Sequence, residues 1–133
     1  MQYDQFIGQV QHRARLASSG EAVRATRATL LTLGERLFGG EAWNLAAQLP
    51  EEIKEFLEGG GAGESFDLPE FYARVSDKEG VDLRQAVFHA RAVVSVLRDA
   101  VSQTEIQHAL DQLPKEYNAL FESVPGEDVR KAA

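Results

Sequence analysis

Apolar side chains fall three, four and seven positions apart along most of this chain. That spacing lines one face of an α-helix. Tyr3, Phe6, Ile7 and Val10 make the first stripe. A longer stretch follows, with Val23, Ala25, Ala28, Leu30, Leu31, Leu33 and Leu37. Two short stripes come next, Ala42, Leu45, Ala46 and Leu49, then Ile53, Phe56 and Leu57. The series then begins again. Leu68, Phe71, Tyr72 and Val75 match the first stripe, and Leu83 to Val101 matches the long one. Ile106, Ala109, Leu110 and Leu113, then Tyr117, Leu120 and Phe121, complete it. The pattern predicts eight helices and an all-α protein. The stretch from Leu83 to Val101 is apolar around most of its circumference, as a buried helix is. With its counterpart over Val23–Leu37 it is expected to form the centre.

The second series is a copy of the first. Setting 24–58 against 88–122 gives nine identities, among them Arg27/Arg91, Leu33/Leu97, Glu41/Glu105 and Glu58/Glu122. Average composition would give about two. Gln48-Leu49-Pro50 recurs whole as Gln112-Leu113-Pro114. The reading is two tandem, pseudo-symmetric four-helix repeats, 1–58 and 66–122, forming one domain over 1–122. A glycine-rich linker, 59–65, joins them, and 123–133 reads as a flexible tail. Helix starts carry their own signals. Ser18 with Glu21, Asp82 with Gln85 and Ser102 with Glu105 read as capping boxes. Asp67 can cap a helix with Pro69 in its first turn. Pro50 and Pro114 each disfavour helical angles in the preceding leucine. Each is expected at the first position of a new helix, making a rigid corner. Arg27, Arg91, Glu41, Glu105, Gln48, Gln112, Pro50 and Pro114 form the structural signature of the repeat. Each arginine is expected to bind a helix end or a carboxylate within its own unit.

Composition narrows the function classes. The chain has 133 residues, 44% of them hydrophobic and 26% charged, which is ordinary for a globular protein. It has no cysteine, hence neither disulfides nor thiolate chemistry. No apolar run approaches a membrane span, and no signal-peptide core opens the chain, so a cytoplasmic protein is expected. The net charge of −7 argues against nucleic acid and against an anionic membrane surface. One basic cluster stands out: His12, Arg13, Arg15, Arg24 and Arg27.

Candidate chemistry is thin. Glu105-Ile106-Gln107-His108 is a Glu-x-x-His, the motif of carboxylate-bridged di-iron bundles. Such a centre needs the motif on two helices, and the first repeat has Asn44 where a histidine would stand. No metal and no cofactor are expected. No serine sits in a nucleophile elbow, and the Gly59–Gly63 run lacks the lysine of a phosphate-binding loop. The chain is therefore not expected to be an enzyme. The helix after Pro50 offers Glu51, Glu52, Glu55 and Glu58 where a reading helix would need basic or amide groups.

Taken together, certain segments resemble a bacterial family catalogued as domain of unknown function 2267. The carriers are Tyr3-Asp4-x-Phe6 with Val10, Arg24-Ala25-Thr26-Arg27-Ala28, and Leu33-Gly34-x-Arg36-Leu37. Gly40-Glu41-Ala42, Leu45-Ala46-x-Gln48-Leu49-Pro50, and Gln112-Leu113-Pro114 with Leu120-Phe121 continue them. The resemblance implies an all-helical bacterial protein and supplies no catalytic residues. The leading expectation is a noncatalytic protein-interaction or adaptor module, its partner another protein or a second copy. The alternative is a ligand sensor with a pocket between the repeats. Trp43 and Phe38 lie where the second copy has Gln107 and Ser102. With Arg13, Arg15 and Arg24 they form the candidate interaction surface.

Overall fold

The computed structural model describes residues 1–59 and 63–122. Seven α-helices follow in order: α1 (Tyr3–Arg13), α2 (Ser19–Arg36), α3 (Glu41–Ala46), α4 (Glu51–Glu58), α5 (Leu68–Glu79), α6 (Leu83–Ala100) and α7 (Gln103–Asp111). A short 3-10 segment, Lys115–Ala119, closes the series. No strand occurs among the described residues, so the protein is all-helical. The capping residues act as their chemistry requires. Ser18, Asp67, Asp82 and Ser102 accept from the backbone N–H of Glu21, Glu70, Gln85 and Glu105.

The four long helices α1, α2, α5 and α6 make a closed set of contacts. α1 packs on α2, α2 on α5, α5 on α6, and α6 back on α1. α2 and α6 also touch, as expected of the two most apolar stretches. Phe6, Val10, Leu30, Leu33, Phe71, Val75, Val93 and Leu97 are fully buried there. α3 packs on α4 and also reaches across to α7. Burial of α2 is more polar than its stripe suggests, since Thr26, Thr29 and Thr32 are all wholly buried. Thr32 Oγ1 donates to the Ala28 carbonyl at 2.8 Å.

The eighth α-helix expected from Tyr117, Leu120 and Phe121 is not formed. Those residues are buried as the pattern requires, but the backbone tightens to a 3-10 turn. Leu120 and Phe121 bond three residues back, to Tyr117 and Asn118. Asn118 stands where α4 has Lys54, a better helix former. Tyr117 is also anchored elsewhere. Its hydroxyl donates to the Phe66 carbonyl at 2.7 Å, and its ring meets Phe71 edge-on. Arg36 Nε donates to that same carbonyl, its guanidinium lying over both the Phe66 and Tyr117 rings.

Both prolines sit one residue earlier than expected. Pro50 and Pro114 are the caps before α4 and the 3-10 segment, with extended ψ of 152° and 154°. The corner remains, because an extended cap turns the chain as firmly as a first-turn proline. The predicted linker is described only at Gly59 and from Gly63 onward, and the predicted tail lies outside the described residues. Gly63, at φ +69°, comes so close to Phe38 that a Cβ there would lie 2.5 Å from Phe38 Cβ. Only glycine fits that approach.

Candidate functional site

Between α2 and α3 the chain turns through Gly39 and Gly40, both at positive φ. This turn releases Phe38 and Trp43 from the core. Phe38 is 53% exposed and Trp43 is 63% exposed. Both line one groove of about 340 Å³, with Leu37, Ala42, Leu57 and the backbone of Gly63. Glu58 stands at its edge, and the exposed Glu51, Glu52 and Glu55 continue along α4. A second groove of about 370 Å³ is lined by Arg98, Gln103, Ile106, Gln107 and Phe121. Those positions lie 64 residues after Gly34, Gly39, Ala42, Trp43 and Leu57 of the first groove. Trp43 in the first groove thus corresponds to Gln107 in the second.

The arginines of the predicted surface lie elsewhere. Arg13 is a packing residue: it bonds Ser95 Oγ at 3.1 Å and Asp99 at 2.6 Å, its side chain only 8% exposed. Arg15 and Arg24 line a cavity of about 570 Å³ near the start of α2, with Leu16, Gln85, Glu79 and His89. Arg24 and the end of α2 are separated by about 18 Å of helix, at 1.5 Å per residue. The structure therefore divides the predicted surface into a groove at one end of α2 and a cavity at the other. In that cavity His89 Nδ1 lies 2.5 Å from Glu79 Oε2, both side chains being almost wholly buried. Of the repeated arginines, Arg91 pairs with Glu122 at 3.8 Å, while Arg27 is exposed on α2.

Gln48 and Gln112 have long-range partners that the sequence did not reveal. Gln48 Oε1 accepts from the Ser102 N–H at 2.7 Å. Gln112 Nε2 donates to the Phe38 carbonyl at 2.8 Å, and its Oε1 accepts from the Phe38 N–H at 3.2 Å. Each glutamine therefore holds the residue ten positions before the other one. Between these two brackets, where α3 meets α7, lie Glu41, Glu105 and His108. One donor atom from each falls within 4.8 Å of the other two. Glu41 is buried, and Glu41 Oε2 and Glu105 Oε2 have no hydrogen-bond partner among the described residues. Burial, then the neighbouring Glu105 carboxyl, pushes the Glu41 carboxyl above the ordinary carboxylate range. Sequence reasoning set Glu41-x-x-Asn44 beside Glu105-x-x-His108 as copies of one motif. It missed that the two meet.

The family described as an uncharacterized conserved protein (DUF2267) has a sequence model that matches residues 3–120. The chain belongs to this family. The match spans the first groove, all of the second but Phe121, both brackets and the carboxylate cluster, and confirms the resemblance read from the sequence. No curated protein matches the chain. Among the described residues no helix is long and apolar enough to cross a membrane.

Proposed function

We propose that this DUF2267 chain is a noncatalytic interaction module built from two tandem helical repeats, acting in the cytoplasm. Its contact surface is the groove of Phe38 and Trp43. The observation that carries this reading is the exposure of both aromatics in one groove. Exposed tryptophan is the residue type most enriched in binding hot spots. Nothing in the shared architecture requires an aromatic there, since Gln107 occupies the matching position in the second groove. The acidic face of α4 sets the partner's chemistry: an apolar anchor flanked by lysine or arginine.

Several features support the repeat reading. α2 and α6 begin and end 64 residues apart, at Ser19/Leu83 and Arg36/Ala100. The caps Ser18 and Asp82 share that offset, as do Pro50 and Pro114. The glutamine brackets are reciprocal, as a twofold relation demands. The repeats are 1–58 and 66–122, and together they form one domain.

The test uses the single tryptophan. Trp43 emission in the dilute protein should be red-shifted and open to a soluble quencher. A peptide with an apolar anchor and basic flanks should shift it to the blue and protect it, and Phe38→Ala should weaken that binding at least tenfold. A change with protein concentration alone would assign the groove to self-association. A blue-shifted, protected emission in the free monomer, or equal binding by Phe38→Ala, overturns the reading.

A second reading rests on the cavity at the other end of α2. Arg15 and Arg24 at its wall would favour a small anionic ligand, with the buried Glu79–His89 pair fixing the imidazole behind it. Stabilisation by small carboxylates or phosphates that is lost in Arg24→Ala would support this sensor role.

A further inference from the structure

The geometry points to a metal site at the α3–α7 contact, in which Glu41, Glu105 and His108 bind one divalent ion of the zinc class. This reverses the expectation of no metal, and it stands apart from the groove reading because none of the three residues lines that groove. In the sequence Glu105-x-x-His108 stands alone, since Glu41 is followed by Asn44 where a second histidine would be needed. The fold brings the isolated glutamate of one half to the Glu-x-x-His of the other.

Three observations carry it. First, the donor set is right: one imidazole and two carboxylates suit zinc and its neighbours. Secondly, the spacing is near. Donors on one zinc at about 2.1 Å lie about 3.4 Å from each other. Here all three fall within 4.8 Å, and His108 Nδ1 is already 3.8 Å from Glu105 Oε2. The remaining closure falls on His108, whose side chain is 54% exposed and free to turn, and on Glu105 at 21%. Thirdly, Glu41 is only 6% exposed, yet its Oε2 has no partner among the described residues. A buried carboxylate oxygen facing a second carboxylate is costly unless a cation or a proton lies between them. Both carboxylates come from the first turns of their helices, α3 and α7. An ion there ties the two halves together at the contact that the glutamine brackets flank. Three protein donors leave a coordination position open for water.

The competing occupant is a proton shared by Glu41 and Glu105, and the test separates the two. The untagged full chain is stripped with chelator and titrated with zinc chloride by calorimetry. Cobalt(II) is titrated in parallel while Trp43 emission is followed, since Trp43 lies two residues from Glu41. The expected result is saturation at one ion per chain, a rise in Tm with zinc, and quenching of Trp43 by cobalt at the same stoichiometry. His108→Ala should bind at least about tenfold more weakly. Glu41→Gln, which mimics a permanently protonated Glu41, should do the same while remaining folded by circular dichroism. His12→Ala should bind as the wild type does. Absence of saturable binding overturns the proposal in favour of the shared proton. So does binding that His108→Ala and Glu41→Gln both leave at full strength.

Discussion

Each glutamine of the Gln-Leu-Pro triplets bonds to the main chain of a residue far away in sequence: Ser102 for Gln48, Phe38 for Gln112. Gln112 makes two such bonds, one as donor and one as acceptor. Both are solvent-accessible, so their combined net value is modest. Gln112→Ala is expected to lower the free energy of unfolding by about 1–2 kcal/mol. Urea denaturation measures it, and a change below about 0.3 kcal/mol would show the bracket to be ornamental. The sequence showed that the glutamines recur but not why. The separations are 54 and 74 residues, and an amide side chain carries no local mark of its partner. Arg13 misled for the same reason. Its neighbours in sequence suggested a basic patch, while its partner Asp99 lies 86 residues away. At Trp43 and Phe38 the sequence marked a departure, a large apolar residue where the matching position is polar, and left their exposure open.

At the level of single elements, periodicity performed best where burial is one-sided. The stripes of α1 and α5 reappear as Phe6, Val10, Phe71 and Val75 at zero exposure. It did less well in two places. In the last element the apolar spacing of Tyr117, Leu120 and Phe121 is helical, yet the bond pattern is 3-10. Spacing reports which side chains are buried, not which carbonyl each N–H chooses. In α2 the stripe left out three threonines that are wholly buried. A small β-branched residue packs like valine at a helix contact, and its hydroxyl hides the fact from a hydropathy pattern. Thr32 bonds the preceding turn, whereas Thr26 and Thr29 leave Oγ1 buried without a partner among the described residues. Thr29→Val should therefore stabilise the protein by about 1 kcal/mol, because it removes a desolvated hydroxyl at nearly constant shape. Thermal or urea unfolding decides it. Destabilisation by Thr29→Val would mean that the hydroxyl has a partner, such as an ordered water.

On the scale of the whole molecule, the all-helical class was legible in the periodicity, and a constant offset suggested the repeat. The contact between α3 and α7 was not, because an offset says which residues correspond and nothing about which of them touch. Under the proposed repeat, corresponding residues meet only where its twofold axis passes, and Glu41 with Glu105 would be such a pair. Under the proposed repeat architecture, an experimental structure should superpose 20–58 on 84–122 with α2 on α6 and α3 on α7. The fit should fail only beyond Pro50 and Pro114, where α4 faces a 3-10 segment. Different packing angles in the two halves would remove the axis.

The reciprocal brackets bear on how the protein is made. Synthesis runs from the N-terminus, and early segments begin to fold before later ones exist. Until Gln112 leaves the ribosome, the main chain of Phe38 has no bracket, and Gln48 has no Ser102 to hold. α2 likewise waits for α5 and α6. If the two halves are repeats, the unfinished half displays a face that a second copy of itself could cover, and the nearest such copy on a crowded message is the half emerging from the next ribosome. Under the proposed repeat, exchange of halves between neighbouring nascent chains is the error this architecture would invite.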